Sequence, residues 1–182
     1  MGGAKAETAV GRVPMLDRAV AAVRAVVDDV VVVSSRPLAA CGAPVIPDRV
    51  EGAGPLGGLD AALRHARSRG LDGVLLVACD LPLLTPALLR GVAGALGDHL
   101  AAAPERPGGG VEPLCAAYRV GALDAVERRL GGTERSMQGL FRELGGVPLP
   151  AAELDVGEAL LNVNTPEERE RAEAALSRRG ER

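Results

Sequence analysis

The chain has 182 residues, 47% of them hydrophobic and 25% charged, which matches soluble globular domains and is far from the composition of disordered chains. Lys and Arg total 21 against 24 Asp and Glu, a net charge of -3 that lacks the basic footprint needed for a phosphate backbone and argues against nucleic acid as a partner. No apolar run approaches the roughly 18 residues that span a bilayer, and no basic segment followed by an apolar one opens the chain, so the expectation is a single cytoplasmic domain with no membrane contact.

Gly2-Gly3-Ala4-Lys5 stands at the start, and Lys5 is the only lysine, every other basic residue in the count being arginine. Coding bias explains such a skew. A phosphate site explains it equally well, because a compact ammonium and a planar guanidinium are not interchangeable at a crowded phosphate. Pro14 then opens a helical stretch, MLDRAVAAVRAVVDD, with Leu16, Val20, Val23 and Val27 at helical spacing. Val30 to Val33 is continuously apolar and β-branched, the signature of a strand buried on both faces.

A turn-rich loop, a short extended PVIPD and the segment GAGPLGGL lead into a helix of about a dozen residues ending near Gly70. GVLLVACD, Gly73 to Asp80, is the second buried strand. Thr85-Pro86 starts the next helix as N-cap and first helical residue. PERPGGG, Pro104 to Gly110, reads as an exposed loop and EPLCAAYRV as a strand, followed by helices around Ala122 to Leu130 and Ser136 to Leu144. LLNVN reads as a last short strand, and Thr165-Pro166-Glu167-Glu168 is a capping box that begins a charged final helix. Apolar strands alternating with helices predict an α/β fold with a parallel sheet covered on both faces.

Cys41, Cys79 and Cys115 are odd in number and far apart, without a C-x-x-C, so they read as small apolar residues and not as a disulfide or zinc framework. His65 and His99 are too few for a histidine metal cluster, and packing or solvent roles are their default. Asp80 is the sharpest feature. At the carboxyl end of an apolar strand it is either a turn former before Pro82 or a Mg²⁺ ligand, since ligands of open parallel sheets bind beyond those ends and Mg²⁺ shares its shell with phosphates. The glycines of GGAK and GAGPLGGL either permit flexibility and close packing or let backbone N–H groups approach a nucleotide. Asn162 and Asn164 either cap the last helix or complete a metal or nucleotide site, and Thr165 already fills the capping role.

In chain order, GGAK, VIPD, GPLGGL, LLVACDLPLL, PLCAAYR and NVNTPEE together resemble the molybdenum cofactor guanylyltransferase family of the nucleotidyltransferase superfamily. The resemblance implies a doubly wound, mostly parallel, three-layer α/β/α Rossmann-like fold that binds GTP and Mg²⁺. It further implies transfer of GMP to the phosphate of the molybdopterin cofactor with release of pyrophosphate, and molybdoenzyme maturation proteins among the partners. By position, Asp80 is similar to the family's magnesium aspartate and Lys5 to its phosphate-contacting lysine, these two being the catalytic pair. Gly2, Gly3, Ser35, Asp48, Gly54, Pro55, Leu56, Asn162 and Asn164 fall on nucleotide-binding segments. Ser35 stands where the family often has an asparagine near the guanine.

The family's loop has the form LAGGxSxRMGxxK, preceded by a strand, and Met1 to Lys5 matches only its last part. Measured against that pattern, the expectation is a domain short of one strand and half a phosphate loop, either because its start lies upstream or because it is a repurposed relative. Three alternatives stay open: a relative that uses CTP, one with another small phosphorylated acceptor, and a catalytically silent nucleotide-binding protein.

Overall fold

A computed structural model describes residues 8–36, 38, 42–50, 52–154 and 156–180. From the amino end, a hairpin of β1 (Ala9–Val10) and β2 (Val13–Pro14) runs directly into α1 (Met15–Arg24). Then come β3 (Val32–Val33), β4 (Val45–Ile46), α2 (Pro55–Ser68), β5 (Gly73–Val77) and α3 (Pro86–Ala95). The second half holds β6 (Ala101–Pro104), β7 (Cys115–Arg119), α4 (Leu123–Gly131), α5 (Met137–Glu143), β8 (Val147–Leu149) and α6 (Pro166–Arg179). No helix among the described residues is long and apolar enough to cross a membrane.

Strands β5, β7, β6 and β8 hydrogen-bond in that order, while β3 and β4 form their own parallel ladder. Strand β7 is antiparallel to both neighbours and β6 is parallel to β8, so β5, β6 and β8 share one direction. The reversal of β7 follows from its short connection to β6. Arg106 N–H donates to the Gly110 carbonyl at 2.8 Å and Glu105 bridges Val111, and a chain that turns this tightly can only return antiparallel. Strand β3 runs with β5. Asp29, at its entry, meets His65 (3.6 Å) and Arg69 (3.2 Å) at the end of α2, which is the point where the chain enters β5. The mostly parallel, doubly wound arrangement expected from the sequence is therefore present, with one strand reversed.

Alternation along the strands sends side chains into two separate cores. Ala116 and Tyr118 pack with Leu56, Leu59 and Leu63 of α2, Val126 of α4 and Leu140 and Phe141 of α5. Cys115 and Ala117 face the other way, toward Ala22 of α1 and Leu88, Leu89 and Val92 of α3. The two cores are the two helical layers of the sandwich. A third cluster, of Val10, Met15, Leu83, Val163, Ala172, Ala175 and Leu176, seats the apolar stripe of the otherwise charged α6 on the amino-terminal hairpin.

Helix boundaries follow their signals. The Thr85 hydroxyl accepts from Leu88 N–H, and at Thr165 both halves of the capping box form, with Glu168 accepting from Thr165 N–H. Helix α1 ends earlier than the MLDRAVAAVRAVVDD pattern predicts. Val26 and Val27 N–H both bond the Val23 carbonyl, and a β-branched pair there favours leaving the helix.

Three expectations need correction. Val30 to Val33 is half-buried, not enclosed on both faces, because one strand edge opens on a cleft. LLNVN forms no strand, its tie to the sheet being one bond from Val163 N–H to the Asp80 carbonyl at 2.9 Å. Strand β6, fully buried, has no counterpart in the sequence reading, since alanine has little β preference and its alternation carries no contrast.

Gly73 is required by close approach, because a Cβ there would lie 2.5 Å from the Tyr118 carbonyl oxygen in the paired strand. Gly73→Ala is expected to lose about 1–3 kcal/mol, as overpacking does, read as a lowered urea midpoint. Thr165→Ala should lose about 1 kcal/mol in the same experiment by removing a helix cap.

Candidate active site

The carboxyl ends of β3, β4 and β5 and the amino end of α2 meet around one cleft of about 1120 Å³. In open α/β sheets that end of the strands is where ligands bind. Ser34, Ser35 and Arg36 follow β3, Asp48 follows β4, Gly54 and Pro55 open α2, and Cys79 and Asp80 follow β5, all lining the cleft. Its deeper walls are Leu16, Val20 and Val23 of α1 and Ala62 and Ala66 of α2.

Helix α2 begins abruptly. Gly54, the N-cap, has φ 61° and ψ -146°, a conformation that side chains resist, and Pro55 occupies the first helical position where its missing N–H costs nothing. The turn aims the positive end of the helix at the cleft. Asp48 takes advantage of it. Its Oδ1 accepts from Val50 N–H at 3.1 Å, and the carboxylate lies so close to the first turn that a Cβ on Gly57 would come within 2.7 Å of it. The GPLGGL glycines therefore have separate reasons: Gly54 supplies backbone conformation and Gly57 supplies room, while a Cβ on Gly58 meets open space.

Asp80 is half-buried at the end of β5, and its carbonyl accepts from Val163 N–H. Among the described residues no donor holds its carboxylate. Asn162 is half-buried beside that tie, whereas Asn164 opens on a separate hollow of about 190 Å³ with Thr8, Met15 and Thr165, its N–H donating to Glu168 at 2.7 Å. Leu56 sends its side chain into the α2 core and not the cleft, leaving only its backbone at the helix start. Ser35 is exposed on the cleft, next to Ser34, whose hydroxyl closes a turn with Arg36. Gly2, Gly3 and Lys5 lie outside the described residues, as does Cys41. Of the sequence-predicted set, the structure brings Ser35, Asp48, Gly54, Pro55 and Asp80 together.

Two residues at this end were not singled out by the sequence. Arg36 brings a cation to the cleft, and its only sequence signal is a basic residue just after a strand. Glu112 is a carboxylate only 5% exposed, with Oε1 accepting from Leu114 N–H at 3.1 Å and Oε2 lying 2.9 Å from Arg106 Nη2. It precedes Cys115, which pairs with Val77, and so belongs to the same end of the sheet as Asp80.

No group of three or more His, Cys, Asp and Glu among the described residues forms a metal cage. Asp80, with its carboxylate open on the cleft, is the residue there that could take a cation. Of the two histidines, His65 lines the cleft from the carboxyl-terminal half of α2, its Nε2 3.6 Å from Asp29, whereas His99 follows α3, its backbone N–H donating to the Leu96 carbonyl.

Comparison with known proteins gives a consistent picture. The MobA-like NTP transferase domain family matches residues 1–147. A molybdenum cofactor guanylyltransferase of Desulfosudis oleivorans is 32% identical over 96% of this chain and 88% of its own length, and one from Rhizobium meliloti is 32% identical over 97% and 86%. Among solved structures, molybdopterin-guanine dinucleotide biosynthesis protein A of Archaeoglobus fulgidus is similar at a TM-score of 0.75 and 25% identity, over 96% of this chain and 91% of that one. The 2-C-methyl-D-erythritol 4-phosphate cytidylyltransferase of Thermus thermophilus shares the fold at a TM-score of 0.70 and 21% identity, over 96% and 95%.

Of the cysteines, Cys79 lines the cleft and Cys115 is fully buried in the sheet. Burial first, and the nearby Glu112 carboxylate second, push the Cys115 thiol from 9.0 up to about 12. The folded protein then keeps a proton that the unfolded chain releases, so this contribution to stability is intact below pH 9 and falls as pH rises from 9 toward 12. Urea titrations of wild type and Cys115→Ala from pH 8 to 10.5 should show the wild type losing stability more steeply, with parallel profiles ruling this out.

Proposed function

The chain belongs to the family of MobA-like NTP transferases, and from that premise we propose that it transfers GMP from GTP to the phosphate of the molybdopterin cofactor. The relatives that match it over nearly their full length are named molybdenum cofactor guanylyltransferase. It is a nucleotidyltransferase by family, and the nucleotide, acceptor and metal are the content of the proposal. The observation that carries it is the convergence of Asp80, Asp48, Arg36 and the glycine-led start of α2 at the carboxyl end of the parallel strands.

In this reaction an oxygen of the acceptor phosphate attacks the α-phosphorus of GTP. The bond to the bridging oxygen of the β-phosphate breaks, and pyrophosphate leaves with that electron pair. No protein nucleophile is required, so the chain's work is positioning and charge compensation. The α2 amino end, with the dipole of a 14-residue helix behind it, and the Arg36 guanidinium offset negative charge on the phosphates. Lys5 would add an ammonium to the same task. Asp80 would hold Mg²⁺ together with the phosphates, and the ion when bound supplies Lewis-acid stabilisation of phosphoryl oxygens. The Asp48 carboxylate, fixed over Gly57, is oriented to accept hydrogen bonds from the nucleotide's sugar or base. Ser35 at the rim is a short hydroxyl for base contact, and Asn162 and Asn164 flank Val163, whose N–H braces the Asp80 carbonyl.

With purified protein, GTP, Mg²⁺ and molybdopterin-bound molybdenum cofactor, a guanine dinucleotide product is expected by mass spectrometry, with pyrophosphate in equal amount. Preference for CTP over GTP in competition would move the assignment to a cytidylyltransferase. Asp80→Asn should cut turnover by at least about 100-fold while circular dichroism stays unchanged. Turnover near wild type in that variant would exclude Asp80 from the chemistry.

A further inference from the structure

We propose that Arg106, pinned by the buried carboxylate of Glu112 at the turn between β6 and β7, binds the phosphate of the acceptor and so selects a phosphomonoester as the group that receives the nucleotide. The inference rests on the nucleotidyltransferase reading above and adds to it a residue that holds the second substrate.

The turn lies at the functional end of the sheet. The last bond of the β5–β7 ladder runs from Ala78 N–H to the Leu114 carbonyl at 2.8 Å, and Asp80 and Glu112 each stand two residues beyond it, at matching positions of the register. Strand β6 is the next strand over, so with neighbours about 4.8 Å apart Arg106 leaves the sheet about 10 Å to one side of Asp80. Arg36 follows β3, across the cleft on the other flank of β5. A reaction that joins two phosphate-bearing molecules brings anions from both sides, and the two arginines stand on those sides.

Glu112 explains why Arg106 is held there. Its side chain is 5% exposed, Oε1 accepts from Leu114 N–H at 3.1 Å, and Oε2 has no hydrogen bond, its compensating charge being Arg106 Nη2 at 2.9 Å. A carboxylate buried in this way is costly to leave uncompensated, which fixes the guanidinium beside it. Arg106 itself is 40% exposed, and among the described residues no other acceptor takes its guanidinium N–H groups. The group that the pair offers to solvent is therefore the cation.

The backbone that carries Arg106 is fixed as well. Arg106 N–H donates to the Gly110 carbonyl at 2.8 Å and Gly109 N–H to the Arg106 carbonyl at 3.0 Å. On one side Glu105 N–H donates to the Leu149 carbonyl of β8 at 2.8 Å, and on the other Gln138 Nε2 of α5 donates to the Val111 carbonyl at 2.7 Å. A planar cation held in one place with donors to spare matches the paired oxygens of a phosphate, which it meets with two parallel hydrogen bonds.

The test varies GTP and molybdopterin-bound molybdenum cofactor separately for wild type, Arg106→Ala, Arg106→Lys and the double variant Arg106→Ala with Glu112→Gln. Arg106→Ala is expected to raise the acceptor KM about 10- to 100-fold, the loss of a charge-assisted contact, and to leave the GTP KM within about 2-fold. Arg106→Lys should recover part of that loss. The alanine variant also strands the Glu112 charge and should lower the urea midpoint, whereas the double variant, with that charge removed, should regain the midpoint and keep the raised acceptor KM. A wild-type acceptor KM in the double variant would overturn the proposal, as would an equal rise in both KM values. A second readout needs no turnover. With isotope-labelled protein saturated with GTP, inorganic phosphate should shift the Arg106 Nε–H resonance, which is identified by its loss in Arg106→Lys, and an unmoved resonance also overturns the assignment. A shifted resonance in wild-type protein that turns over no acceptor would instead overturn the proposed activity while keeping Arg106 as an anion-binding residue, so the two failures are distinct.

Discussion

The ladder between β5 and β7 is the constraint on which the rest of the protein depends. It pairs Gly73 with Arg119 at one end and Val77 with Cys115 at the other, and so fixes where the strand stops and Asp80 begins. The same ladder sets Ala116 and Tyr118 against one helical layer and Cys115 and Ala117 against the other. It tolerates no slip, because moving the register by one residue would exchange the two sets of side chains between cores. The missing side chain at Gly73 lets the strands approach closely at the entry, four residues and about 13 Å from the Val77 end of the strand.

Charge at the site is arranged with few groups. At the carboxyl ends of the strands the α2 dipole, Arg36, Asp48 and Asp80 line the cleft, and Asp28, Asp29 and Asp72 line it elsewhere. Asp48 lies against the first turn of α2 with Oδ1 accepting from Val50 N–H, whereas Asp80 has its backbone tied and, among the described residues, no donor at its carboxylate. Glu112, by contrast, is buried against Arg106 and raises the energy of any further negative charge nearby, which is part of why Cys115 and Tyr118 hold their protons so firmly.

Much of this is legible in the sequence. The helix starts at Thr85 and Thr165 are written in their capping residues, and Asp80 is conspicuous as the one carboxylate closing an apolar run. The joint between Asp48 and Gly57 is not legible, because it depends on a contact between a loop and a helix nine positions later. Strand β6 is hidden for a different reason: three consecutive alanines carry neither β-branching nor alternation, and burial between β7 and β8 alone makes them a strand. The segment before α6 errs in the opposite direction, since LLNVN has the composition of a strand and only one bond to the sheet. Half-burial of Val30 to Val33 also escapes a local reading, because it reflects what lies beside the strand and not what is in it.

The chain contains no tryptophan and a single tyrosine, and that tyrosine is Tyr118, fully buried in β7 with its hydroxyl donating to the Pro113 carbonyl at 2.9 Å. The tyrosine absorbance and emission of the whole protein therefore come from one ring, in the β5–β7 ladder and remote from solvent. The phenol is pushed above its usual ionisation range by burial, so its spectrum stays that of the neutral ring well into alkaline solution while the fold holds. The molecule carries its own optical gauge of core integrity, faint in absolute signal but free of contributions from any other aromatic chromophore of comparable strength, and blind by position to events at the cleft rim.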